Sequence, residues 1–245
     1  MLTVHRSLLA GLVAQVAVLA GLAGTVGLGG TGAVAGLVYG GGVVGLLARA
    51  LLRSGAAALG PADLVTLVRS VLVGGVAALV TDSFRGSTAV GALTLLAAVA
   101  LALDAVDGRV ARHTRTASAV GARFDMEVDS VLVLLLSTFV ARSLGPWVLA
   151  IGSAHYALVL ARRALPWLRG PVPPRYWCKV VAVVQCIVLT AVAAGVLPRV
   201  VAVLVLVLVA ALLAESFGRE VRWLWRHRPG TESDLAPTAV GSVHA

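Results

Sequence analysis

Acid is scarce in this chain: 11 aspartates and glutamates stand in 245 residues, and charged residues of either sign make up 13%. With 59% hydrophobic residues and a mean hydropathy of +0.97, that shortage excludes a soluble globular domain and places the protein in the integral membrane class. Cysteine is nearly as rare. Cys178 and Cys186 have neither C-x-x-C spacing nor paired histidines, which excludes a disulfide framework and a zinc site. Aromatic residues are 5% of the chain and form no cluster with arginines of the kind that stacks single-stranded bases. The net charge of +9 therefore indicates no nucleic acid, and a basic face against anionic headgroups accounts for it. Lysine is almost missing, with Lys179 alone beside 19 arginines; together with the abundance of Ala, Val, Leu and Gly, this indicates a GC-rich bacterial source.

What the chain does have is apolar length. A helix needs about 20 apolar residues to cross a hydrocarbon layer of about 30 Å. Eight segments qualify: 8–28, 32–52, 64–81, 88–106, 124–141, 147–164, 180–197 and 199–215. The expected fold class is all-α, a polytopic transmembrane bundle of about eight spans. If the N-terminus lies inside, 17 of the 20 basic residues fall on the inner side and only Arg85, Arg142 and Arg199 fall outside. The sequence thus predicts a bacterial plasma membrane protein with both termini cytoplasmic. The first apolar run is too long for the h-region of a signal peptide and lacks an A-x-A exit, so it reads as a retained span.

Residues 52–65 interrupt the apolar pattern with Gly60 and Pro61 and restart it at Leu64. That divides an N-terminal helix pair (1–55) from a working core (56–216), followed by an interfacial segment and a disordered tail (217–245). Asp63 is placed to cap the helix that follows, with Thr66 and Arg69 on its first turns. Inner loops are expected at 107–123 and 165–179, the second held out of a continuous helix by Pro166, Pro171, Pro173 and Pro174. Trp223, Leu224 and Trp225 among arginines read as an aromatic interfacial anchor. The glycines at 40–42, 45, 74 and 75 permit close helix contact or a homodimer.

Five of the 11 acids, counting Glu127, fall between Asp104 and Asp129. Four aspartates there follow the pattern D-x2-D-G-x2-A-R-x8-G-x3-D-x3-D: Asp104, Asp107, Gly108, Ala111, Arg112, Gly121, Asp125 and Asp129. Residues three or four apart share a helix face, so Asp104 pairs with Asp107 at the end of one span and Asp125 with Asp129 at the start of the span that returns. An antiparallel hairpin brings all four to one depth. Four packed carboxylates repel unless cations neutralise them, and two divalent ions balance four charges. Oxygen ligands suit Mg²⁺ or Mn²⁺, and paired metals hold the attacking and leaving oxygens of a displacement at phosphorus. Gly108, Gly121 and the small Ala111 let a phosphate or nucleobase approach the backbone, and Arg112 offers a planar fork for phosphate.

Those eight positions resemble the signature of the CDP-alcohol phosphotransferase family at every place, and both long gaps agree. The resemblance covers roughly residues 60–216, leaving the two leading spans outside a six-helix family core. Pro61, Thr66 and Arg69 also resemble the family's opening helix, which usually reads Asn where this chain has Asp63. The resemblance implies an enzyme of phospholipid biosynthesis that moves a phosphatidyl or substituted phosphoryl group from a CDP-linked lipid donor, such as CDP-diacylglycerol, to an alcohol or alcohol phosphate, releasing CMP. By the same resemblance Asp104, Asp107 and Asp125 bind the metals, and Asp129 lies at the metal site and takes the acceptor's proton. Gly108, Ala111, Gly121 and Arg112, with Thr66 and Arg69, surround the cytidine diphosphate.

Two other readings of the cluster are a divalent-cation channel or transporter, and a network in which Arg109, Arg112 and Arg123 neutralise buried aspartates. The transporter reading sits poorly with a cluster at one edge of the span pair, and the network leaves the two glycines unexplained. His155 reads as a neutral, hydrogen-bonded interior residue. Glu127, rotated by roughly 200° from Asp125, faces away from the cluster and is available to an arginine. Gln15 and Gln185 read as interhelical hydrogen bonders, and Arg162, Arg163, Arg169, Arg175 and Lys179 as a basic border able to cradle an anionic acceptor.

Overall fold

In the computed structural model, the described residues are 2–54, 60–86, 89–114, 119–169 and 176–226; within these, the side chains of 2–5, 54, 61–62, 106–114, 119, 166, 169 and 176–179 lie outside the description. Among the described residues there are eight α-helices and no strand: α1 (Leu2–Val26), α2 (Gly30–Ser54), α3 (Pro61–Asp82), α4 (Val90–Thr114), α5 (Ala119–Leu144), α6 (Leu149–Ala164), α7 (Tyr176–Ala193) and α8 (Arg199–Arg226). The result is a polytopic helical bundle.

Four helices are long and apolar enough by themselves to cross a membrane, at Arg6–Val26, Gly30–Arg53, Asp63–Asp82 and Arg199–Arg226, and shorter apolar stretches run over Val90–Ala105 and Val180–Ala193. The first half of α5 carries charges of the aspartate cluster, and α6 has 16 residues, so neither meets that measure alone.

The arginine-rich segment expected as a loop at 107–123 is helical on both sides, with α4 continuing to Thr114 and α5 starting at Ala119. Polar residues at a membrane boundary keep the helical hydrogen-bond ladder, so loss of hydropathy there marks the water boundary and not the end of a helix. The same holds for α8, which runs eleven residues past the expected span end to Arg226. There Leu224 is buried and the Trp225 ring meets Trp167 edge-on, with centroids 5.5 Å apart. In contrast α7 stops at Ala193, short of the expected 197: Gly195 adopts φ +70°, the left-handed conformation in which glycine ends helices without a Cβ penalty.

Helix α3 begins at Pro61, three residues before the expected restart, because proline suits the first helical position, where no N–H partner is needed. Asp63 lies inside the first turn, and its Oδ2 accepts the Gly60 N–H at 2.9 Å. At the other end, Asp82 accepts the Gly29 N–H at 3.0 Å, a carboxylate at the N-terminus of α2 where the helix dipole favours it.

α3 is the centre of the bundle, packed by α1, α2, α4 and α5, with α6 and α7 on α5 and α8 on α7. Its Val73, Val76 and Leu79 join Leu93 and Ala97 of α4 and Leu132 and Leu136 of α5 in the main core. The outer helices turn apolar side chains outward, including Leu9, Val13, Val38 and Leu46 on α1 and α2 and Val200, Leu204 and Leu208 on α8. Such a surface suits lipid and would be a liability in water.

Several glycines permit close packing. A Cβ at Gly32 would lie 2.6 Å from the Ala78 carbonyl oxygen of α3, and one at Gly152 would lie 2.9 Å from the Leu134 Cα of α5. Gly40 of α2 and Gly74 of α3 both close on the buried side chain of Gln15. Gln15 was expected to bond across helices, yet its amide has no hydrogen-bond partner among the described residues; the glycines admit the side chain but offer it no polar side chain. Gln185 does bond across helices, donating from Nε2 to the Ile151 carbonyl at 3.1 Å.

Candidate functional site

Three helices of the core bring one guanidinium and three carboxylates together. Arg69 projects from the buried side of α3 and is 1% exposed. Its Nη1 lies 2.9 Å from Oδ1 of Asp104 on α4 and also bonds Oδ1 of Asp125 on α5, while its Nη2 bonds Oδ1 of Asp129 one turn further along α5. A ligand oxygen from each of the three aspartates lies within 4.8 Å of the others. α4 and α5 both pack on α3, and that shared support brings these three residues to one point as the spacing predicts.

Among the described residues three carboxylates face one guanidinium, a formal charge of −2, at a point where the carboxylate side chains are 24–38% exposed and the cation is buried. Like charges so close repel unless more positive charge is present. The donors are all oxygen, hard and negatively charged, and they are held from two helices at one depth. That set fits a divalent ion such as those oxygen sites select, and Arg69 already supplies part of the required countercharge.

The family model for CDP-alcohol phosphatidyltransferase matches residues 60–214. The chain belongs to that family. No curated protein and no solved structure matches it. The matched stretch opens at Gly60, which caps α3, and closes on α8, so α1 and α2 lie outside it.

CDP-alcohol phosphatidyltransferases are membrane-bound transferases that depend on divalent metal, and an aspartate triad able to hold one is present here. Of the residues singled out by the motif, Asp104, Asp125 and Asp129 converge. Gly121 sits one turn before Asp125 on α5, half-buried, and Thr66 is buried one turn before Ser70 on α3. Asp107, Gly108, Ala111 and Arg112 lie on α4 with side chains outside the described residues. Arg69, grouped by resemblance with the nucleotide, is placed among the carboxylates. The signal for that placement was in the sequence: an arginine embedded in the apolar run LVTLVRSVLV needs a partner of opposite sign.

A cavity of about 220 Å³ leads from the cluster toward α6, α7 and α8. Asp104 and Asp129 stand at its inner wall, and His155, Gln185, Ser216 and Glu220 are among the residues farther along. Sequence reasoning missed Ser216 and Glu220, because they lie far along the chain on a helix whose apolar pattern masks which face it buries. Glu220 bonds Arg162, so at least one arginine of the basic border is held by a carboxylate on the cavity wall. His155 was expected to be hydrogen-bonded; its Nε2 has no hydrogen-bond partner among the described residues and lies 3.9 Å from Glu127. Glu127 is not among the converging carboxylates, and its Oε1 lies 3.9 Å from that histidine.

Proposed function

We propose that the protein transfers a phosphatidyl group from CDP-diacylglycerol, or a closely related CDP-linked lipid, to the hydroxyl of a small alcohol or alcohol phosphate, with release of CMP, in phospholipid biosynthesis. The observation that carries this reading is the convergence of Asp104, Asp125 and Asp129 on one point of an acid-poor membrane bundle, beside a cavity wide enough for a small polar molecule.

In the proposed reaction the acceptor oxygen forms a bond to the lipid-bearing phosphorus, the pyrophosphate P–O bond breaks, and CMP leaves with the electron pair. Asp129 takes the hydroxyl proton; it is suited to this because it belongs to the triad and also lines the cavity. Asp104, Asp107, Asp125 and Asp129 would hold Mg²⁺ or Mn²⁺, two ions by charge balance, and the bound ions would supply electrostatic stabilisation at the reacting phosphate. Gly108, Ala111, Gly121 and Arg112, with Thr66, flank the nucleotide. Arg69, paired with all three carboxylates, holds them together before substrate arrives.

The same reading places the site at the cytoplasmic side of a bacterial plasma membrane. There the basic inner surface meets anionic headgroups, a lipid donor enters sideways and an acceptor arrives from water. The decisive experiment incubates the purified protein with labelled CDP-diacylglycerol and a panel of acceptors, with Mg²⁺, Mn²⁺ or chelator. Metal-dependent release of CMP together with one new lipid product is expected. Cation flux across vesicles without CMP release would overturn the assignment.

A further inference from the structure

A second concavity, about 780 Å³, lies between α2 and α5 and shares no lining residue with the cavity that leaves the aspartates. Val43 and Leu46 of α2 and Val128 and Val131 of α5 give it apolar walls; Arg53 and Arg123 stand at one end, and Tyr39 lines the opposite stretch of α2. Fourteen residues separate Tyr39 from Arg53, about 21 Å of helix at 1.5 Å per residue. That exceeds the depth of one leaflet, about 15 Å if the hydrocarbon layer is about 30 Å.

Position on α5 separates this groove from the triad. At about 100° per residue, Arg123, Glu127 and Val131 centre on a direction roughly 180° from that of Asp125 and Asp129. The groove therefore runs along the back of the helix that presents two carboxylates to the site. Its other wall is α2, which lies outside the matched family region and packs mainly on α1 and α3.

We propose that this groove holds one anionic phospholipid of the surrounding membrane, with an acyl chain along α2 and α5 and its phosphate at Arg53 and Arg123. The walls and the basic end match an amphiphile in shape. The charged lining consists of those two arginines and Glu127, a net +1, which complements the single negative charge of a phosphodiester. Arg53 and Arg123 are both exposed on the membrane side of the bundle, so a lipid reaches them without an opening motion. Leu46, 72% exposed along the groove, is a large apolar side chain awaiting cover. The occupant is a resident lipid and not the donor, because it sits behind α5 and away from the carboxylates. It ties the N-terminal pair to the core and steadies the helix that carries Asp125 and Asp129.

The test is lipid retention, read independently of any CMP release. The full-length protein is purified in a mild non-ionic detergent, and bound phosphatidylglycerol and phosphatidylcholine are counted by native mass spectrometry for wild type, the double variant Arg53→Gln/Arg123→Gln, and Leu46→Trp, which fills the groove. Wild type is expected to keep one phosphatidylglycerol in preference to phosphatidylcholine, with binding about thirtyfold weaker when both arginines are neutralised. Leu46→Trp is expected to exclude the lipid with both arginines in place, and Arg219→Gln on α8 to retain it. Three results would each overturn the proposal: equal retention in the double variant, equal retention in Leu46→Trp, or displacement of the bound phosphatidylglycerol by CDP-diacylglycerol. Should the double variant fail to fold, Leu46→Trp at its exposed position still decides the matter.

Discussion

At the scale of single residues, the site is an electrostatic problem with a partial internal solution. Arg69 is buried and bonds all three described carboxylates, and among the described residues one positive charge meets three negative ones. Two predictions follow from that imbalance. Replacing Asp129 by Asn keeps the shape of the side chain and removes the proton acceptor, so kcat should fall by about 10²- to 10⁴-fold while Mg²⁺ still binds in a titration. Replacing Arg69 by Leu leaves the carboxylates without their countercharge and should cost about 3 kcal/mol of stability in chelator, the low end of the range for a broken buried pair because the aspartates are partly exposed. Adding Mg²⁺ should recover more stability in that variant than in wild type, and equal recovery would show that the guanidinium and the ion do not address the same charge.

At the scale of helices, α3 decides how closely everything else approaches. Gly32 of α2 faces the Ala78 carbonyl of α3, and backbone cannot yield as a flexible side chain does. Gly32→Ala should therefore destabilise the protein by about 1–3 kcal/mol, as overpacking does, whereas Gly41→Ala, which meets open space, should be neutral or stabilising by up to about 1 kcal/mol. Thermal unfolding of the two variants in the same detergent is the comparison that tests this. Helix existence and order were legible in the sequence, because apolar length and glycine or proline interruptions follow directly from composition. Helix ends were less so. Arg109 to Thr114 and Phe217 to Arg226 are interrupted by arginines yet helical, since hydropathy reports where the bilayer stops and hydrogen bonding decides where the helix stops.

At the scale of the whole molecule, the metal should act as a stabilising ligand as well as a participant in chemistry. A divalent ion that binds the folded bundle at one hundred times its Kd adds about 2.7 kcal/mol to stability. Mg²⁺ or Mn²⁺ should thus raise the midpoint of thermal unfolding relative to chelator, and activity lost in chelator should return when either ion is restored. An unchanged midpoint across a full titration would argue against ion binding at the triad.

The amino-acid sequence by itself determined the membrane class, the order of the helices and the spacing that puts Asp125 above Asp129 and Asp104 at the end of the preceding helix. These are local or compositional properties, fixed by helical periodicity and by the free energy of placing apolar length in lipid. Only the tertiary structure decided that Arg69 of α3 is the cation inside the triad, that Ser216 and Glu220 of α8 reach the same cavity, and that α2 and α5 leave a basic-ended groove between them. Those depend on which face each helix turns toward its neighbours. In a bilayer nearly every face is apolar, so hydropathy cannot distinguish the buried side from the lipid side, and packing alone makes that choice.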